Sequence, residues 1–567
     1  MRMTALIKFS TRPSAARYER ATLDPAGAQL HKLSSIVKNN RHTAYGRRYG
    51  FAAMRTLSDY QRQAPVVTYE DIRRDVERMT AGEKNILTAE PPVMFARTSG
   101  TTGEPKYIPI TRTCRRSERD GFSRTWVYHA LAAHPEIYDT KVVSLVSPAV
   151  EGYTPSGIPY GSVSGAIYRN MPAIVRRNYV IPYAVFEIAD YQAKYYAITR
   201  LTLEQDVSML CTANPSSILK LCEKADEFGE DIIRDIRDGT LSRRMPVEPA
   251  MRELIERRLK PNPAKAAFLE KARSRRQGVL KPADYWPRMR LIGCWKGGTV
   301  GHYLENFPQW FDPDGERHIA VRDWGYLSSE ARCSIPVSDE GTAGILAVAG
   351  NFYEFVPVEE VAAEPQNPAA WTFLTADQLC DGREYYILLT TTGGLYRYHI
   401  NDILRVEGFY NRTPQVVFMR KGEGITNITG EKLSVNQIIE AVTHAAGRTG
   451  AIPFHFKAEA DVEGSRYILR VEFHEYLPDE TGRAFLERVD EHLKRINVEY
   501  KAKRDSMRLA VPALHVMREG WYEHGQCELL AGGARDFQSK AQLLSPVKLE
   551  TVDIEPDLDR IIEICDV

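Results

Sequence analysis

The chain has little cysteine, no long apolar run and no surplus of either charge. Its eight cysteines, at 114, 211, 222, 294, 333, 380, 527 and 565 of 567 residues, form no Cys-x-x-Cys pair and have no histidine at zinc spacing. That excludes a disulfide framework or a zinc ribbon and predicts buried, reduced thiols in a cytoplasmic protein. No stretch approaches the roughly 18–20 apolar residues that span a bilayer. The opening Met1-Arg-Met-Thr-Ala-Leu-Ile-Lys8 is interrupted by charge too early for a secretory segment. A membrane partner is therefore not expected. Lysine plus arginine number 75 against 74 aspartate plus glutamate, a formal net charge of +1. Nucleic acid needs a basic surplus and is not expected as the main partner. The strongest local bias, 14 basic against 5 acidic residues over 241–290, lacks the interleaved aromatics of single-strand binders and reads as a solvated helical face.

What is present is ordinary globular material, 43% hydrophobic and 26% charged, in a chain too long for one simple core. Short runs apolar on both faces (93–97, 141–147, 289–294 and 345–349) read as buried sheet strands, and 215–238 and 247–276 read as helices. Strands at 384–390 and 415–419 bracket a turn-rich segment. The expected fold class is α/β: a large N-terminal domain of sheets and surrounding helices over 1–420, then a small mobile α+β domain over 421–567. The charged, glycine-containing Arg420-Lys421-Gly422-Glu423-Gly424 marks the boundary, with a hinge near Lys421. Beyond it a helix is expected at 435–446, a hairpin over 454–460 and 466–472, a helix at 484–496 and a strand at 509–516.

The most informative stretch is Phe95-Ala-Arg-Thr98-Ser99-Gly100-Thr101-Thr102-Gly103-Glu104-Pro105-Lys106. A strand enters a loop of hydroxyl and glycine residues that closes on Pro-Lys. Glycine admits close backbone approach, hydroxyls and amides donate to phosphate oxygens, and the lysine adds positive charge. It is not a Walker A loop, because Pro105 precedes the lysine and Tyr107 follows it.

Thr-Ser-Gly-Thr-Thr-Gly-x-Pro-Lys resembles the phosphate loop of the adenylate-forming superfamily, which includes acyl-CoA synthetases, peptide-synthetase adenylation domains and luciferases. Two further landmarks follow in order. Tyr326-Leu-Ser328-Ser329-Glu330 resembles the second motif, and Gly394-Leu-Tyr396-Arg397-Tyr398-His399-Ile400-Asn401-Asp402 the third, in a longer Leu-Tyr-Arg-Tyr version. That version, followed by Val406-Glu-Gly408-Phe409-Tyr410-Asn411-Arg412-Thr413-Pro414, resembles one branch in particular. It is the Gretchen Hagen family of acyl-acid amido synthetases, which conjugate plant hormones to amino acids and have bacterial members. The resemblance runs in motif order from about residue 90 to residue 548.

The resemblance implies ATP and Mg²⁺ as cofactors and gives each residue a role. Thr98, Ser99, Gly100, Thr101, Thr102, Gly103 and Lys106 hold phosphate. Tyr326 stacks on adenine, Ser328 and Ser329 donate near the α-phosphate, and Glu330 takes Mg²⁺, which favours one or two carboxylates plus phosphate oxygens. Asp402 captures the ribose hydroxyls. Lys540, in a Gln-x-Lys segment that lacks the family's following Pro-Arg, is the adenylation lysine, and Lys421 marks the hinge. Asn401 replaces the family's glycine; if that position is left-handed, Asn substitutes best. His399 stands where arginine is usual, and either alters the pocket or faces solvent. For the acyl pocket the candidates are Arg124 and Tyr128 on a helix, Ser164 in a small-residue loop (162–165), and Thr299 after a strand.

The implied activity is adenylation of a carboxylic acid, giving acyl-AMP and pyrophosphate, followed by transfer to an amine acceptor, expected to be an amino acid. Two alternatives stay open: an acyl-CoA synthetase with a thiol acceptor, and a non-catalytic nucleotide-binding relative.

Overall fold

The computed structural model describes residues 3–98, 106–364, 367–422, 425–426, 428, 431, 433–461, 463–505, 509–531, 543–545, 548 and 555–564. The chain divides into two compact units between Phe418 and Met419.

The first unit holds three sheets with helices around them. One is all parallel, in the order Lys141–Ser144, Val207–Cys211, Leu291–Gly293 and Ala320–Arg322. Every residue of Val207–Cys211 and Leu291–Gly293 is buried, as strands covered on both faces must be. Trp126, from the helix Gly121–Ala133, stacks on Trp324 just beyond this sheet, with ring centroids 4.1 Å apart. A second sheet runs Lys106–Thr111, Pro92–Thr98, Pro159–Gly161, Gly152–Tyr153. The third, six-stranded, has the order Phe352–Pro357, Glu384–Thr390, Tyr398–Tyr410, Thr413–Lys421, Gly344–Leu346, Ser334–Ile335.

Three sequence expectations change here. The segment between 384–390 and 415–419 is not mainly turn: it contains the long strand Tyr398–Tyr410, whose pattern is disguised by a bulge and a left-handed residue. The run 215–238 is two helices, Pro215–Glu227 and Gly229–Asp238, broken at Phe228. Likewise 247–276 splits into Pro249–Glu256 and Pro263–Arg275, with prolines 261 and 263 unable to continue the first helix. Several basic residues of this segment are paired, Arg273 with Glu230 at 2.7 Å, Arg276 with Asp284 at 3.1 Å and Arg288 with Asp206 at 3.2 Å.

The second unit is a five-stranded sheet, ordered Leu544–Ser545, Pro453–Asp461, Arg466–Phe473, Ala513–Met517, Leu558–Ile562. Two helices pack with it. Val435–Thr449 starts in a Ser434/Gln437 capping box and stops at left-handed Gly450, while Asp479–Ile496 starts with two acidic residues. They bury Ile438, Val442, Phe485, Val489 and Leu493 in a common core. The strand expected at 509–516 begins only at Ala513, and the helix expected at 484–496 begins five residues earlier.

Cys114, Cys211, Cys222, Cys294 and Cys333 are buried free thiols as expected, but Cys380 and Cys527 are exposed. Among the described residues no helix is long and apolar enough to cross a membrane.

Candidate active site

The hydroxyl-rich loop connects the two strands of a hairpin. Thr98 pairs with Lys106, Arg97 with Tyr107 and Ala96 with Ile108. Ser99, Gly100, Thr101, Thr102 and Gly103 lie outside the described residues, and of Thr98 only the backbone pairing is described. Lys106 opens the return strand, its ammonium 5.6 Å from the centre of the Tyr69 ring. The Tyr69 hydroxyl in turn accepts the Tyr107 amide at 2.8 Å, so the first residues of the helix Tyr69–Thr80 are fixed against the mouth of the hairpin.

The second motif is a tight reversal. Gly325 has φ +79, and a Cβ there would lie 2.1 Å from the Ser334 carbonyl oxygen, so only glycine lets the two limbs close. Tyr326 receives the Cys333 and Ser334 amides at 2.9 and 3.1 Å, and Leu327 bridges Arg332. At the tip the Ser328 hydroxyl accepts the amides of Glu330 and Ala331, both at 3.2 Å. A hydroxyl also keeps one proton to give, so this arrangement leaves Ser328 a donor. Behind the turn, the Asp323 carboxylate accepts the amides of Lys296 and Gly325, and the buried Arg119 donates to the Ser329 carbonyl at 2.7 Å. Burial pushes the Asp323 carboxyl up to about 6 against those hydrogen bonds.

The third motif divides into a brace and a tip. The Tyr396 hydroxyl donates to the Leu87 carbonyl at 2.6 Å, and its ring stacks on Tyr45 at 4.7 Å. Arg397, also left-handed at φ +45, donates to Glu354 at 2.9 Å and to the carbonyls of Gln61 and Ala64 at 2.8 and 2.9 Å. The pairing of Glu384–Thr390 with Tyr398–Tyr410 then slips. His399 faces Leu388 and Ile403 faces Tyr386, so Ile400, Asn401 and Asp402 oppose the single residue Ile387. Asn401 has φ +61, the left-handed conformation expected of the family's glycine position. Its amide donates to His399 Nδ1 at 3.1 Å, and the His399 ring lies between Trp371 and Tyr386, centroids 5.6 and 5.4 Å away. His399 therefore shapes the turn rather than facing solvent. Asp402 lies inside the strand, not at its end, and the bulge re-aims its side chain.

The two motifs meet at Tyr326 and Asp402. The Tyr326 hydroxyl donates to Asp402 Oδ2 at 2.7 Å, and its ring lies parallel to Phe418, centroids 5.8 Å apart. Both side chains are buried. Burial, then the charge of Asp402 and, more weakly, Glu330, pushes the Tyr326 phenol up. Tyr398 is raised in the same way, by burial and then by Glu330, Tyr69 and Asp402. Lys106 thus meets Tyr69 and Tyr326 meets Asp402, while the charges of Glu330 and Asp402 act on the Tyr326 and Tyr398 phenols. Two carboxylates converging on phenols, with a lysine at the hairpin mouth, suit a polar ligand that carries hydroxyls, a cation and phosphates. Tyr398, Phe418, Asp323 and Arg119 were not singled out from the sequence. Only Tyr398, inside the Leu-Tyr-Arg-Tyr run, carried a local signal.

The remaining candidates stand elsewhere. Arg124 is exposed on its helix, where its charge acts on Asp120. Tyr128 sits edge-on to His129, with the Lys8 ammonium 6.0 Å from its centre. The expected small-residue loop at 162–165 is instead a helix start: Ser162 caps Val163–Arg169, its hydroxyl 2.8 Å from that of Ser164. The cause is the Ser162 cap, whose hydroxyl accepts the Gly165 amide at 3.3 Å. Thr299 lies in the 3₁₀ turn Gly298–Asn306 and Lys421 ends the strand Thr413–Lys421; neither side chain is described. Lys540 lies outside the described residues.

Against known proteins, residues 14–315 match the GH3 family N-terminal domain, 344–421 its central domain and 436–547 its C-terminal domain. The chain belongs to the GH3 family. Among GH3 relatives, indole-3-acetic acid-amido synthetase GH3.5 of Arabidopsis thaliana is 27% identical over 465 residues, 77% of this chain and 73% of its own. Jasmonoyl--L-amino acid synthetase GH3.5 of Oryza sativa subsp. japonica is 23% identical over 565 residues, 95% of each chain. The solved structure of AtGH3.15 acyl acid amido synthetase in complex with 2,4-DB superposes with a TM-score of 0.84 at 21% identity, covering 98% of this chain and 97% of that one. The GH3 fold is thus shared over essentially the whole length.

Proposed function

We propose that the protein uses Mg·ATP to adenylate a carboxylic acid and passes the acyl group to an amino acid. As a GH3 enzyme it is an acid–amino acid ligase, and the relatives named above are amido synthetases acting on indole-3-acetic acid and on jasmonate. The observation that carries the reading is the Tyr326–Asp402 hydrogen bond, which joins two motifs 76 residues apart.

In this reading ATP supplies the leaving group that a free carboxylate lacks. Asp402, with about four acceptor positions of which Tyr326 takes one, holds the ribose hydroxyls. Tyr326 and Phe418 present parallel rings beside the base. Glu330, near the end of the second motif, would hold Mg²⁺, which would offset phosphate charge, and Lys106 with the Thr98–Gly103 loop adds positive charge and donors for the phosphates. Ser328 and Ser329 donate toward the α-phosphate. Lys540, carried by the segment beyond the Lys421 hinge, stabilises charge during the first step only. The acid is held by elements that include Arg124, Tyr128, Ser164 and Thr299. Reduced thiols and the demand for ATP fit a reaction in the cytoplasm.

A carboxylate-dependent pyrophosphate-exchange screen tests the reading. Exchange should appear with at least one acid, and Lys540→Ala should slow it by about 10²–10³-fold while transfer from preformed acyl-adenylate persists. Thioester formation in place of amide would transfer the reading to an acyl-CoA synthetase, and absence of exchange with every acid would make the chain a non-catalytic relative.

A further inference from the structure

Two guanidinium groups sit behind the second motif with no carboxylate partner among the described residues. Arg119 comes from a π-helical turn, Cys114–Asp120, directly after the hairpin. Such widened turns are rare and gather at functional sites. Arg119 is 2% exposed; one of its nitrogens donates to the Ser329 carbonyl at 2.7 Å, and its Nε and Nη1 are buried with no partner. Arg332, across the turn from Leu327, lies with its guanidinium 5.6 Å from the Phe122 ring centre, and its Nε also lacks a partner. As a residue Arg332 is only partly buried. Phe122 lies three residues after Arg119, and Arg119 donates within the same turn, so the two guanidinium groups flank one turn. Among the described residues no carboxylate pairs with either group.

Holding two cations together in a desolvated place is costly unless an anion joins them. A guanidinium fork matches a carboxylate in shape and hydrogen bonding. The carboxylate that reacts is a poor occupant, because adenylation turns it into a neutral acyl carbonyl and leaves the cations uncompensated for the second step. A carboxylate that takes no part in the chemistry keeps its charge through both steps. We propose that Arg332, backed by Arg119, receives such a spectator carboxylate, carried either by the acyl acid or by the amino-acid acceptor. This rests on the amide-synthetase reading and adds to it a specificity site. Arg119 fixes the motif turn and supplies charge, and Arg332 presents the hydrogen-bonding edge.

The test uses the full chain with paired ligands: dicarboxylic acids against their monomethyl esters in pyrophosphate exchange, and amino acids against their carboxamides in amide formation. Arg332→Gln should raise KM for the carboxylate member of one pair by about 10–100-fold and leave its neutral analogue within about twofold, the effect of one charge-assisted contact. Arg332→Lys should recover part of the loss. An effect confined to exchange assigns the site to the acyl acid, and one confined to the amide step assigns it to the acceptor. Unchanged KM values in a folded Arg332→Gln protein overturn the proposal, as does equal loss for charged and neutral analogues. If that variant does not fold, the wild-type protein decides, since equal KM within both pairs also overturns it. Wild-type protein inert toward every acid defeats the amide-synthetase reading itself, a different failure from an active enzyme indifferent to Arg332.

Discussion

Tyr396 and Arg397 are neighbours of Tyr398 and Asp402 in one motif, yet the two halves of that motif face different tasks. Tyr396 and Arg397 reach inward to Leu87, Tyr45, Gln61, Ala64 and Glu354, all parts of the protein scaffold. Asp402 instead accepts the Tyr326 hydroxyl, and the Glu330 charge acts on the Tyr398 phenol. Between them a three-against-one bulge and left-handed Asn401 turn the strand over. A motif can therefore hold both a brace and a pocket. Loss of activity after mutating it means different things on the two sides of the bulge.

The largest effect should fall on the brace. Arg397→Ala strands the buried Glu354 carboxyl and should cost about 3–5 kcal/mol of stability in denaturant unfolding. ATP affinity of the molecules that remain folded should stay close to wild type; a selective loss of ATP affinity would erase the distinction.

Next is the pocket. Asp402→Ala should weaken ATP binding by about 1.5–3 kcal/mol, the scale of hydrogen bonds to a charged group, with little change in the acid's affinity. Titration calorimetry with ATP checks this, and an unchanged affinity would remove Asp402 from the ribose role.

Smaller, and behind the pocket, is the Asp323 carboxyl that ties Lys296 and Gly325. Its folded pKa of about 6 lies above that of an unfolded aspartate. Between about pH 4 and 6 the folded chain holds a proton that the unfolded chain has released, so stability falls as pH rises through that window and this contribution is flat above it. Asp323→Asn should remove that slope, a change of about 1–2 kcal/mol across the window. Thermal melts at pH 4.5 and 7 measure it; an unaltered slope would clear Asp323.

Smallest is the turn itself. Asn401→Gly should be within a few tenths of a kcal/mol of wild type, and Asn401→Val should cost about 1–2 kcal/mol because a β-branched side chain resists positive φ. Equal activity and stability of the two variants would show that the bulge does not depend on this residue.

What the sequence revealed was local. The order of the three motifs, the strand entering the phosphate loop and the left-handed requirement at Asn401 all depend on residues next to each other. The strand Tyr398–Tyr410 was hidden because positive φ at Arg397 and Asn401 breaks its alternation. The helix breaks at Phe228 and before Pro263 were hidden inside continuous helical patterns. The roles of Arg119, Phe418 and Glu354 depend on partners up to 293 residues away, which no spacing rule contains. The acyl pocket was least legible, since nothing but a place on the helix that follows the loop marks Arg124 and Tyr128.

The most direct measurement is product analysis with one activating acid, Mg·ATP, and either an amino-acid mixture or coenzyme A as acceptor. Accumulation of an acid–amino acid amide with AMP and pyrophosphate, and no thioester, is the predicted result. Thioester with coenzyme A and no amide would contradict it.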